Sequence, residues 1–158
     1  MANEAQYKIK TKYIGTRGVK EYRETIDEWV DENDVVLEIG CEWGTTTTLI
    51  AEKCKEVIGT DISPECIERA KEMHPGLRFE VLDAFDMRTA MSFEKEFTKV
   101  YIDVSGLSGY RSLLDAIALL NMYATIFAPQ AIIIKSGALK QFANNCIAWK
   151  SGEGKAKS

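Results

Sequence analysis

The sequence is poor in the residues that acid–base and metal chemistry most often draw on. It holds one histidine, His74, placed before Pro75 in an apparent helix-to-strand turn, so neither a histidine-based triad nor a zinc site is expected. The four cysteines, Cys41, Cys54, Cys66 and Cys146, form no Cys-x-x-Cys pair and no metal-ligand spacing. They read as small buried hydrophobes. No apolar run approaches the ~20 residues that span a bilayer. The start, MANEAQYKIK, lacks the apolar stretch of a secretory signal, so a cytoplasmic protein without a membrane partner is the expectation.

Glycine is missing at one telling place. Residues 36–44 read VLEIGCEWG, an apolar run that ends in an acid and opens into a glycine turn, with TTTTLIAEKC following as a helix start. This is the strand, turn and helix entry of a nucleotide-binding α/β domain. Glu42 stands where a G-x-G-x-x-G turn has its second glycine, the one that lets backbone approach a pyrophosphate. A carboxylate there repels phosphate, so the turn points to a ligand without one.

What is present is ordinary for one globular domain: 158 residues, 46% hydrophobic and 28% charged. The net charge of −4 conceals a gradient, with +4 over residues 1–23, +3 over residues 140–158 and −11 between them. Basic ends on an acidic body suit a polyanion or simple solvation. The domain reading is a basic arm over 1–17, an α/β domain over 18–150 and a disordered tail over 151–158.

Within that domain, strand and helix signals alternate. YKIKTKYI reads as an edge strand or part of the arm, and 18–32 as a helix with Val19, Tyr22, Ile26, Trp29 and Val30 on one stripe. Strands are expected at Val35–Ile39, Val57–Thr60, Leu77–Leu82, Val100–Ile102 and Ala131–Ile134. Helices are expected at Thr45–Cys54, from Ser63-Pro64 to Met73, at Met87–Met91, over 109–127 and over 138–149. The pattern predicts a Rossmann-like parallel sheet in the order 3-2-1-4-5 for these five strands, with helices on both faces. No sixth or seventh strand is foreseen, so the closing helix or a partner subunit, such as a second copy, would cover the fifth-strand edge.

Each expected strand ends in an ionisable residue: Glu38, Asp61, Asp83, Asp103 and Lys135. Charges are costly to desolvate without a partner, and in such sheets the ligand lies beyond the carboxyl ends of the strands. Asp61 suits the two hydroxyls of a ribose. Asp83, with apolar Ala84 and Phe85 after it, suits an adenine, and Glu38 suits an ammonium, directly or through water. Trp43 covers the ligand or packs under the first helix, and only Thr45 or Thr46 of the threonine run approach it. A ribose, an adenine and an ammonium without phosphate suggest S-adenosylmethionine.

LEIGCEWG, GTDIS, VLDAF and YIDVSG together resemble the motifs of class I S-adenosylmethionine-dependent methyltransferases, over roughly residues 34–136. The resemblance carries Glu38, Gly40 and Gly44 to the methionine part of the cofactor, and Trp43 and Thr45 of the same turn are candidate cofactor contacts. It carries Asp61 to the ribose and Asp83 to the adenine, with their neighbours Ile62 and Ala84 as further candidate cofactor contacts. GTT at Gly44–Thr46, Asp103-Val104 and IIIKS at 132–136 resemble fibrillarin-like RNA 2′-O-methyltransferases, which pair an aspartate after the fourth strand with a lysine after the fifth. That likeness implies Asp103 and Lys135 as catalytic residues and RNA as acceptor, with a small molecule as the alternative. A non-catalytic cofactor-binding module is a further alternative, and Lys135 as a plain salt-bridge partner of Asp103 stays open. So do a lid or a mere connector at Ser105–Gly109, acceptor contacts at Tyr110 and Arg111, and an extra base at Lys8, Lys10 or Lys12.

Overall fold

The computed structural model describes residues 8–104 and 110–151, with the side chains of Tyr110 and Arg111 excepted. Its elements run β1 (Lys12–Thr16), α1 (Val19–Trp29), β2 (Val35–Ile39), α2 (Thr45–Ala51), β3 (Glu56–Asp61) and α3 (Pro64–Met73), then β4 (Arg78–Val81), α4 (Met87–Met91), β5 (Lys99–Ile102), α5 (Tyr110–Phe127), β6 (Ala131–Lys135) and α6 (Gly137–Asn145). All pairings are parallel, in one sheet of order β1-β6-β5-β2-β3-β4.

The five strands read from the sequence keep their relative order, but the whole sheet differs from the expectation by one strand. Lys12–Thr16, inside the basic arm foreseen over 1–17, pairs along the whole of β6. The β6 edge assigned to a closing helix or a partner subunit is therefore covered by this chain's own β1, and the edge argument for a partner falls away. β1 was ambiguous because its alternation is weak: Lys12 and Tyr13 are exposed and only Thr16 is buried.

The inner strands are apolar at nearly every position because both faces are covered, with successive residues packing on opposite faces. Leu37, Ile39, Val100, Ile102, Ile132 and Ile134 pack on one face with Leu119, Leu120 and Tyr123 of α5. Val36, Tyr101, Ala131 and Ile133 pack on the other with Tyr22 and Ile26 of α1 and Ile50 of α2. Ser63 caps α3, its Oγ accepting from the Cys66 N–H, with Pro64 in the first turn.

The closing helix stops at Asn145, short of the foreseen end near Trp149. Of its apolar stripe only Leu139 is buried, while Phe142, Ile147 and Trp149 are exposed. Without burial, the paired asparagines at 144 and 145 have too little helix propensity to continue. Residues 152–158 of the expected tail and 1–7 of the arm lie outside the described residues.

Candidate cofactor site at the carboxyl edge of the sheet

Register brings the site together. Gly59, Glu38, Tyr101 and Ile133 pair across β3, β2, β5 and β6, forming one row on the face covered by α1 and α2. Two residues further on, side chains return to that face. The next row toward the carboxyl edge is therefore Asp61, Gly40, Asp103 and Lys135, with Thr16 of β1 opposite Lys135. The ladder continues through it, with Gly40 N–H donating to the Thr60 carbonyl at 2.8 Å and Asp103 N–H to the Ile39 carbonyl at 2.8 Å. Four ionisable or glycine positions far apart in sequence thus share one face of one edge.

Glu38 is 1% exposed and accepts a hydrogen bond from Thr47 Oγ1, while its own carbonyl accepts from Thr60 Oγ1 at 2.7 Å. Burial pushes its carboxyl up to about 8, with Asp103 and Asp61 adding to the rise and Thr47 and Arg23 opposing it. It lies beneath the turn, tying β2 to α2. Gly40 and Gly44 both have φ of 85°, and Glu42 between them has φ of 50°. The middle position thus adopts the backbone that favours glycine, and a glutamate occupies it.

Asp61 is fixed by the same turn. Its Oδ2 accepts the Glu42 N–H and its Oδ1 the Ser63 N–H, each at 3.0 Å. A half-buried carboxylate oriented by two amides retains lone pairs for ribose hydroxyls. Asp83 is exposed and accepts the Phe85 N–H at 3.0 Å, whereas Ala84 is buried and its carbonyl accepts from Tyr123. Trp43, Ile62 and Phe85 are among the exposed large apolar residues, at 50%, 66% and 46%. They leave open apolar surface beside Asp61 and Asp83 for a base. Thr45 is exposed at the start of α2, and Thr46 behind it is buried.

Asp103 and Lys135 meet, with Nζ to Oδ1 at 2.6 Å and side chains 20% and 32% exposed. Both remain partly open to solvent. The loop 105–109 lies outside the described residues, as do the side chains at 110 and 111.

Two residues of α1 lie beside this edge and carry no motif in the sequence. Tyr22, read there only as one of an apolar stripe, packs edge-on against Tyr101 with ring centroids 5.3 Å apart. Its buried hydroxyl has no hydrogen-bond partner among the described residues, and burial with the neighbouring Glu38 and Asp103 charges raises its pKa. Arg23 donates from Nε to Thr46 Oγ1 at 3.0 Å.

The donor set fits S-adenosylmethionine: oriented carboxylate for the ribose, exposed apolar surface for the adenine, and acids with a spare buried hydroxyl for a cationic end. No cluster of side chains suited to a metal ion occurs among the described residues. Two surface hollows of about 480 and 360 Å³ open elsewhere, around Thr98 and Gln130 and around Lys10 and Thr11. These residues precede β5, β6 and β1, at the edge of the sheet opposite the one that bears the acids.

The family described as Methyltransferase domain matches the chain over residues 36–123, more than half of its length. The chain belongs to this family. The match starts in β2 and ends in α5, and so contains every cofactor-side residue of the sheet edge. No curated protein matches the chain.

Among solved structures, this methyltransferase domain is similar to a TehB-like S-adenosylmethionine-dependent methyltransferase from Corynebacterium glutamicum, at 23% identity and TM-score 0.53, covering 73% of this chain and 62% of that one. It is similar to a dimethyladenosine transferase from Plasmodium falciparum, at 20% identity and TM-score 0.57, covering 84% and 46%. It is also similar to DesVI from Streptomyces venezuelae, at 18% identity and TM-score 0.54, covering 87% and 55%. These likenesses show the shared Rossmann-like α/β methyltransferase fold. The chain spans less than two thirds of each of these structures.

Proposed function

We propose that this methyltransferase domain transfers the methyl group of S-adenosylmethionine to a hydroxyl or amine held beside Asp103 and Lys135. The observation that carries the reading is the Asp103–Lys135 contact at 2.6 Å, in the same sheet row as Asp61. When bound, S-adenosylmethionine supplies an electrophilic methyl group on a sulfonium. Transfer replaces a proton on the acceptor atom, and that proton needs a nearby base. Lys135, held by the Asp103 carboxylate and one-third exposed, is the residue assigned to take it, acting as the neutral amine after releasing its ion-pair proton to solvent. Asp61 holds the nucleoside end, and the acids of the row favour the positive charge at the reacting centre. The acceptor lies toward β6 and β1, so that its atom is aligned at near-attack distance.

RNA is the favoured acceptor. Arg17 follows β1 at the same edge, exposed, with its stem beside Gly137. Among the described residues its guanidinium makes no ion pair, because the nearby Glu21 carboxylate is taken by Lys140 Nζ and the Arg17 N–H, each at 2.8 Å. Unpaired cations beside a reaction centre suit the phosphates flanking a ribose hydroxyl.

The test is methyl transfer from labelled S-adenosylmethionine into an RNA pool and, separately, into a metabolite extract. Incorporation into RNA supports the full reading, and incorporation into metabolites alone replaces RNA with a small molecule. Cofactor binding without transfer to either favours a binding module. Lys135→Ala is expected to reduce transfer at least tenfold with cofactor affinity nearly unchanged. Lys135→Arg, which keeps the cation but is a poor base, should be as inactive. Equal loss of binding would make Lys135 structural.

A further inference from the structure

The sequence carries positive charge at both ends of an acidic chain, and the fold brings those ends together. Residues 8–23 hold six cations against the single acid Glu21, and residues 137–151 hold two cations and no acid. α6 lies so close on β1 that a Cβ on Gly15 would be 3.4 Å from the Lys140 backbone N. The stem of Arg17 would likewise be 3.8 Å from a Cβ on Gly137. Segments far apart in sequence thus form one basic margin on an acidic body.

β1 ends the sheet, so its outer side carries no strand. Lys12 N–H donates inward to the Gln130 carbonyl at 3.0 Å, and the Thr16 carbonyl accepts inward from Ser136 N–H at 2.9 Å. Strand alternation then turns the N–H groups of Tyr13 and Gly15 outward, and Gly15 has no side chain to shield them. At the amino edge, Lys8 and Lys10 line the hollow of about 360 Å³ with Thr11 and with Ala124 and Thr125 of α5. Neither lysine makes an ion pair among the described residues. Lys12 follows, its Nζ 5.9 Å from the Trp29 ring centroid, and Arg17 stands at the other end of the strand.

This placement rules out Lys8, Lys10 and Lys12 as extra bases. Lys12, the nearest of them, is four residues, or about 13 Å, before Thr16, which pairs with Lys135. Cations spaced along an open edge with outward amides fit a chain of phosphates better than one anion. Tyr13, Phe142 and Trp149, all exposed and in the same two segments, offer faces to unstacked bases. An acidic peptide gives those rings no planar partner. A lipid surface needs its cations in one plane, whereas Lys12 lies over α1 and the Lys10 hollow opens beside α5.

We propose that a single-stranded RNA lies along the outer edge of β1, its phosphates held from Lys8 and Lys10 to Arg17, which brings the strand to Lys135. This deepens, and rests on, the acceptor reading above.

Fluorescence polarisation with a labelled single-stranded RNA of about ten nucleotides tests it. The wild type should bind with a slope of log affinity against log salt of about −2 to −3, the value for three or four phosphates. Lys8→Gln combined with Lys10→Gln should weaken RNA about tenfold and flatten the slope by about 1.4. S-adenosylhomocysteine affinity should stay within about twofold, since both lysines lie at the opposite edge from the acids. Lys55→Gln combined with Lys71→Gln removes the same charge from exposed sites before β3 and on α3, and should leave RNA affinity unchanged. Phe142→Ala combined with Trp149→Ala should weaken RNA at least fivefold with the slope unchanged.

All six side chains are exposed, so the variants keep the fold. No RNA binding by the wild type, or equal effects of the two lysine pairs, overturns the proposal. So does displacement of the RNA by polyglutamate or by phosphatidylglycerol vesicles at equal charge concentration, which would assign the edge to another polyanion. RNA bound as described but never methylated overturns the acceptor reading and leaves the edge an RNA surface. Methylated RNA whose affinity ignores the Lys8 and Lys10 changes overturns the edge alone.

Discussion

Gly40 and Asp103 meet so closely at the ends of β2 and β5 that a Cβ on Gly40 would lie 1.9 Å from the Asp103 carbonyl oxygen. With φ of 85° as well, Gly40 is required twice over, for its backbone conformation and for its lack of a side chain. The contact sets the position of Asp103 in the row.

Gly40→Ala should therefore destabilise the fold by about 2–4 kcal/mol, combining left-handed strain with overpacking against backbone that cannot yield. Urea denaturation measures it. A loss below about 1 kcal/mol would mean that the two strand ends move apart freely.

Glu42 offers the opposite case. Its φ of 50° costs an L-residue about 1–2 kcal/mol, while glycine costs about 0.5–1 kcal/mol in unfolded-chain entropy. Glu42→Gly keeps the N–H that Asp61 accepts and should raise stability by about 0.5–1 kcal/mol, seen as a higher urea midpoint at unchanged slope.

The buried carboxyl of Glu38 predicts a pH dependence. Its folded-state pKa, about 8, is above the ordinary carboxylate value, so the folded chain binds more protons than the unfolded chain between the two. Stability from this group is fully present below about pH 4, falls by at most about 1.4 kcal/mol per pH unit across the window, and is gone above about pH 8. Glu38→Gln keeps an acceptor for Thr47 and mimics the protonated form. Its unfolding midpoint should change less between pH 6 and pH 9 than that of the wild type, and parallel curves would contradict the burial argument.

Much of this site was legible as residues and little of it as geometry. Periodicity located the four inner strands because their cores are nearly all apolar, and it also placed the edge strand β4 and bounded α4 at Met87–Met91. β1 was ambiguous because Lys12 and Tyr13 face solvent, so its role at the β6 edge rests on pairing rather than on pattern. The acids at the strand ends were visible, but the row that joins Asp61, Gly40, Asp103 and Lys135 depends on inter-strand register, which no single strand encodes. Glu38 shows the cost. Its place before the glycine turn suggests an ammonium ligand, but its burial and its bond to Thr47, which also make it a support beneath the turn, are invisible in the sequence. Tyr22 looked like one more core residue, since an aromatic on a helical stripe gives no sign of where its hydroxyl ends.

The central claim is that this edge holds S-adenosylmethionine through Asp61. Isothermal titration of the wild type and of Asp61→Ala with S-adenosylhomocysteine tests it most directly. One site per chain is predicted for the wild type, weakened by more than about 1 kcal/mol in the variant through loss of charge-assisted bonds to the ribose. No heat of binding to the wild type, or equal affinity in the two proteins, would contradict it.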